Sequence, residues 1–138
     1  MGETQPEITR EPFNDSTPVS EIEPIEQGGL TPQDREELRS LVEAPLLDAC
    51  QLLYDKGVKT VFSSANRKDV GGSAHIAIDF DTLSANNKAI AARLGTEGMI
   101  HGFKPRKGIY INFPITPQTT LGEIRKASLD IAEQFEQQ

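Results

Sequence analysis

Residues 73–80 constrain the fold more than any other stretch, because apolar side chains occupy every second position there. Successive side chains of a β-strand point to opposite faces of the sheet, so this alternation predicts a strand with two different faces. One face would be apolar and would consist of Ala74, Ile76, Ile78 and Phe80. The other would carry His75, Ala77, Asp79 and, just after the strand, Asp81. The sequence therefore predicts a sheet that packs on a core with one face only.

Helix and strand signals follow the order α(α)ββα(β)βα along the chain. Capping patterns indicate helices that begin at Thr31, after Ser84 and at Thr120, and Pro45 suits the first turn of a further helix. The predicted strands cover residues 58–64, 73–80, 99–103 and 108–114. The first of them would place Val58, Thr60 and Phe62 on one face. This order is typical of an α+β two-layer sandwich, with a mostly antiparallel sheet of about three to four strands and helices packed on one face.

Acidic residues and prolines are concentrated at the N-terminus. Residues 1–30 contain seven acids, one base and four prolines, among few apolar side chains. Such a segment cannot offset the conformational entropy that it would lose on ordering. We therefore expect residues 1–30 to form a disordered acidic arm and residues 31–138 to form a single α+β domain. The domain holds 14 acids and 13 bases, so nearly all of the net charge of −7 belongs to the arm.

The chain has the features of a cytoplasmic protein without a membrane partner. Cys50 is the only cysteine, so no intramolecular disulfide can form. No apolar run approaches the roughly 20 residues that a helix needs to span a bilayer. The N-terminus lacks the basic and then apolar layout of a secretory signal.

Two basic loops are the candidate ligand-binding regions. Their hydroxyl, amide and cationic side chains, together with backbone amides near glycine, are the groups that hold an anion. The candidate residues are Ser63, Ser64, Asn66, Arg67, Lys68, Gly71 and Gly72 in the first loop, and Lys104, Arg106 and Lys107 in the second. We expect one continuous patch if strands 58–64 and 108–114 run in the same direction. The glycines match no phosphate-binding fingerprint, and no aromatic residues alternate with the cations to stack bases.

Three functional hypotheses are compatible with these patterns. The first is a non-catalytic binding or interaction module for an unknown protein or an anionic ligand. The second is a domain that binds a phosphate-bearing small molecule or a nucleic acid through loops 63–72 and 104–107. The third is a small metal-dependent hydrolase that uses His75, Asp79, Asp81 and His101, although His75 and Asp79 would lie about 13 Å apart along their strand. No complete catalytic set is present, so we assign no catalytic residue, no metal ligand and no cofactor.

Overall fold

The sheet and four helices of a computed structural model, which describes residues 13–25, 34–101 and 104–138, confirm the predicted α+β class. The strands are β1 (Thr60–Ser64), β2 (Ser73–Asp79), β3 (Thr96–Ile100) and β4 (Arg106–Pro114). The helices are α1 (Arg35–Leu41), α2 (Ala44–Asp55), α3 (Ala85–Leu94) and α4 (Leu121–Glu133). All strand pairs are antiparallel and the spatial order is β1-β2-β4-β3. The β1-β2 pair and the β3-β4 pair are hairpins, and β4 returns to the centre of the sheet.

The predicted apolar face of β2 forms the centre of the core. Ala74, Ile76 and Ile78 are fully buried, and each lies opposite an apolar residue of β4. Every described helix contributes buried side chains to the same core: Leu38, Leu46, Ala91 and Ile124 are examples. The described helices therefore cover one face of the sheet, and we call the opposite face the open face.

A bulge in β1 changes which side chains reach the open face. Thr60 lies opposite Ile78, whereas Phe62 lies opposite Ala77, so Val61 is an extra residue between the two pairs. Because residues directly opposite each other share a face, Thr60 lies on the core side and Phe62 on the open side. The prediction that Thr60 and Phe62 share a face is therefore wrong.

Local capping chemistry sets most helix starts as the sequence predicts. Ser84 caps α3, a capping box at Thr120 starts α4, and Pro45 lies in the first turn of α2. The first helix differs, since it begins at Arg35 with the Asp34 carboxylate accepting a hydrogen bond from the helix backbone. The predicted cap at Thr31 lies outside the described residues.

Residues 13–25, which we call the strap, differ from the disordered arm that the composition predicts. Val19 and Ile22 are 0% and 2% exposed. The Val19 N–H donates to the Thr119 carbonyl at 2.9 Å, and the Ile22 carbonyl accepts from the Arg67 N–H at 2.8 Å. Two buried apolar side chains and these backbone bonds offset the entropy of ordering a short segment. Residues 1–12 and 26–30 lie outside the described residues, and their disorder stays a prediction.

Candidate functional site

The two predicted basic loops lie at opposite ends of the sheet. Ser73 pairs with Pro114 at one end of the β2-β4 ladder, and Asp79 pairs with Gly108 at the other. The two ends are six residues, or about 20 Å, apart. Strands β1 and β4 do run in the same direction, and this is what separates the loops, because one loop follows β1 and the other precedes β4. The prediction of a single continuous patch is therefore wrong.

The polar side chains of the first loop bind one another. Asn66 is 3% exposed; its Oδ1 accepts from the Lys68 N–H at 2.9 Å, and its Nδ2 donates to Ser64 Oγ at 3.1 Å. The Asp69 carboxylate accepts from the Ser64 hydroxyl at 2.8 Å and from the Asn66 N–H at 3.0 Å. These bonds hold the short 3₁₀ turn at Arg67–Asp69 in place. They engage the same groups that an anion would need.

Glu43 is the centre of this network, although no sequence pattern identifies it as a candidate site residue. It is 3% exposed and accepts hydrogen bonds from the Ala65 N–H at 2.7 Å, the Ile25 N–H at 2.7 Å and the Asn66 amide at 3.0 Å. Its position directly before Ala44-Pro45, at the N-cap of α2, is the only local signal. The carboxylate thus joins the start of α2, the first loop and the strap.

Three further candidate residues of the first loop are each engaged in a contact of their own. Arg67 pairs with Glu23 of the strap at 3.0 Å, and both side chains are largely exposed. Gly71 has a φ of 90° and donates its N–H to the Ile115 carbonyl at 2.9 Å. Gly72 donates to the Asp69 carbonyl at 2.9 Å. The loop therefore holds no set of converging backbone amides for an anion.

Ser63 lies on the core side of β1, beside Cys50. Burial raises the pKa of the Cys50 thiol to about 12, and a hydrogen bond with Ser63 opposes that shift only in part. The thiol consequently stays protonated at neutral pH, and a protonated buried thiol is a poor nucleophile.

The second predicted loop belongs to a group of cations at the other end of the sheet, which we call the basic end. It consists of Lys59, Lys88, Lys104, Arg106 and Lys107. The Arg106 Nε donates to Asp79 Oδ2 at 2.9 Å, and Asp79 is 4% exposed. The Lys107 ammonium lies 3.2 Å from Glu97 and 4.5 Å from the centre of the Phe80 ring, and Lys88 lies 5.5 Å from the same ring. Lys59 and Lys104 are exposed and form no salt bridge with any described residue.

Three aromatic rings from three neighbouring strands meet on the open face. We call Phe62, His75 and Tyr110 the aromatic cluster; their ring centres are 5.6 to 6.1 Å apart. Phe62 and Tyr110 are the neighbours of Ala77 on the two adjacent strands, and Ala77 between them is 0% exposed. All three rings remain partly exposed.

Glycine lets the Tyr110 ring lie against the neighbouring strand. A Cβ at Gly98 of β3 would stand 2.8 Å from Cε1 of this ring, closer than a side chain can come. The Tyr110 hydroxyl donates to the Met99 carbonyl at 3.1 Å. The ring is therefore held in one orientation, and its outer surface faces away from the sheet.

His75 is held towards its neutral form. Partial burial lowers the pKa of its imidazole, while the negative charges of Asp69 and Glu43 oppose the shift. A neutral imidazole among two aromatic rings makes the cluster uncharged at neutral pH.

This shift predicts a pH dependence of stability. The unfolded chain takes up a proton at His75 near the ordinary pKa of about 6.5, before the folded protein does. The free energy of unfolding is therefore expected to fall as the pH drops through about 6.5 and to level off below the folded pKa. Urea unfolding across this pH range checks the prediction. His75→Gln is the control, and its free energy of unfolding should not show this fall. An unchanged step in the His75→Gln protein would contradict the assignment.

The residues of the hydrolase hypothesis do not come together around one ion. Asp79 is paired with Arg106, and Asp81 lies in the exposed turn after β2. Within residues 13–25, 34–101 and 104–138, no group of three or more His, Cys, Asp or Glu side chains is placed to hold a metal ion.

Comparisons with known proteins add no functional information. No protein-family model, curated protein or solved structure matches this chain. Among the helices of the described residues, none is long and apolar enough to cross a membrane. The function is therefore inferred from the arrangement of side chains in the fold. The hydrogen-bonded first loop lies at one end of the sheet, the basic end lies at the other, and the aromatic cluster lies on the open face between them.

Proposed function

We propose that the protein is a non-catalytic binding module whose ligand lies on the open face, across the aromatic cluster. The observation that carries this proposal is the cluster itself. Buried aromatic rings normally belong to a core, but these three rings lie on the face opposite the core and are partly exposed. Aromatic rings that are rigid and partly exposed are enriched where proteins bind ligands, since they offer a large contact area at a small entropic cost.

The surroundings of the rings support binding rather than catalysis. The neighbours of His75 are the rings of Phe62 and Tyr110 and, opposite it on β1, Ser64, whose hydroxyl donates to the Asp69 carboxylate. The Cys50 thiol is buried on the other side of the sheet, and its pKa is raised to about 12. General-base and nucleophilic catalysis both need a base within hydrogen-bond reach of the group that it activates.

Amide chemical shifts provide the test of this proposal. Titration with nucleotides, short single-stranded oligonucleotides and short peptides should move the resonances of Phe62, Ala77 and Tyr110 for at least one ligand. Tyr110→Leu should weaken that binding, because leucine still covers Ala77 but offers no ring. Tyr54→Leu is the matched control, since Tyr54 is 42% exposed on α2 in the helix layer.

Two results would count against the open face as the binding surface. One is a set of shifts confined to the helix layer or to the first loop. The other is an equal loss of affinity in the Tyr110→Leu and Tyr54→Leu proteins.

A further inference from the structure

We propose that the ligand of the open face is a single strand of nucleic acid, with bases on the aromatic cluster and phosphates towards the basic end. This inference rests on the proposed function, to which it adds the chemical class of the ligand. It depends on two features that the tertiary structure brings side by side: a set of partly exposed rings and an excess of positive charge.

The rings suit unpaired bases. Each nucleobase has two aromatic faces, and stacking on an exposed ring adds affinity whatever the base is. The cluster is neutral at physiological pH, because burial lowers the pKa of His75. Asn112 is exposed and lies opposite His75, and its amide has both donors and acceptors for the edge of a base. A duplex hides the faces of its bases, so the cluster favours a single strand.

The charge at the basic end suits phosphate groups. Asp79 pairs with Arg106 and Glu97 pairs with Lys107, whereas Lys59, Lys88 and Lys104 form no salt bridge with any described residue. Arg106 lies on the same sheet face as Tyr110, four residues away, and therefore about 14 Å along β4. Asp79 holds its Nε, and the Lys104 carbonyl accepts from its Nη1 at 3.2 Å. The guanidinium is thus fixed in place at the end of the sheet where Lys59 and Lys104 are exposed.

Other ligand classes would use only one of these features. An acidic peptide needs the cations but gains little from a flat aromatic surface. An apolar peptide needs the rings but gains nothing from the excess of positive charge. A polymer that carries both flat rings and regularly spaced anions uses both, and this favours a nucleic acid strand.

Fluorescence anisotropy of the full chain with short labelled oligo(dT) and oligo(U) tests the inference, with a duplex of the same length for comparison. We expect at least one single strand to bind about tenfold more tightly than the duplex. Phe62→Leu and Tyr110→Leu should each weaken binding about tenfold, because each removes a stacking surface while keeping apolar cover over Ala77.

The charges are tested by salt dependence. Replacing Lys59 and Lys104 together with alanine should weaken binding and flatten the plot of log affinity against log salt, by about 0.7 for each phosphate that the protein no longer neutralises. Replacing Arg39 and Lys126 together with alanine is the matched control for charge, because both are exposed on helices that cover the other face of the sheet. Tyr54→Leu is the control for aromatic loss. Both controls should bind like the unaltered protein.

The possible failures are distinguishable. Equal binding of duplex and single strand, or equal losses in the Tyr110→Leu and Tyr54→Leu proteins, would overturn the nucleic acid assignment. If neither oligonucleotide binds but a peptide shifts the amides of Phe62, Ala77 and Tyr110, the nucleic acid assignment is wrong and the proposed function stands. If oligonucleotides bind and shift only residues away from the open face, both are wrong.

Discussion

Replacing Glu43 with alanine is expected to lower the free energy of unfolding by about 3–5 kcal/mol, because three donors lose their acceptor at once. The three are the N–H groups of Ile25 and Ala65 and the side-chain amide of Asn66. A buried donor left without a partner costs about 1–3 kcal/mol, and relief of the cost of burying the carboxylate offsets part of the sum. Denaturant unfolding measures the change.

Two further variants separate the hydrogen bonds from the charge. Glu43→Gln keeps the shape and one acceptor oxygen, so it should cost about 1–2 kcal/mol. Glu36→Ala removes an exposed acid of α1 and should change stability by less than about 0.5 kcal/mol. Similar stabilities for Glu43→Ala and Glu36→Ala would show that the network around Glu43 does not form in solution.

Replacing Ile22 with alanine is expected to cost about 2–4 kcal/mol, because it removes a buried side chain from the strap. Ile22 is 2% exposed, and its carbonyl accepts from Arg67, so the substitution loosens the packing of the strap against the first loop. If the strap detaches as a unit, the cost cannot exceed the free energy with which the strap docks. Unfolding curves and the hydrogen exchange of the Val19 and Arg67 amides report the effect.

Ser20→Ala is the matched control for the strap. Ser20 is the exposed residue between Val19 and Glu21, so its replacement should leave both stability and exchange almost unchanged. If Ile22→Ala is as stable as Ser20→Ala, the strap contributes nothing and residues 13–25 behave as the acidic arm that their composition predicts.

Local patterns predict the elements of this fold well. The alternation in residues 73–80 identifies β2 and its buried face, and the caps at Ser84 and Thr120 place the starts of two helices. Each of these features is decided by a few neighbouring residues, through side-chain periodicity or through a hydrogen bond across one helical turn. The strap is different: composition predicts disorder, and only the contacts of Val19 and Ile22 with distant residues order it.

For the candidate site, too, local sequence identifies residues, but contacts between distant residues decide how they are arranged. The sequence identifies cations in both loops, but their separation follows from the direction of β4 relative to β1. In the linear sequence no aromatic residues alternate with those cations, and this pattern argues against a surface that stacks bases. In the fold, Phe62, His75 and Tyr110 meet from three strands, and the bulge at Val61 turns Phe62 towards the open face.

The α+β class and the antiparallel sheet with one buried face can be predicted from the sequence alone. These follow from repeats of two and of about three and a half residues, which are local properties of the chain. The order of the strands, the burial of Glu43, the docking of the strap and the contacts among the three rings follow from the tertiary structure. Each of these depends on contacts between residues far apart in the chain, such as Glu43 with Asn66 and Phe62 with Tyr110, and such contacts leave no periodic signal.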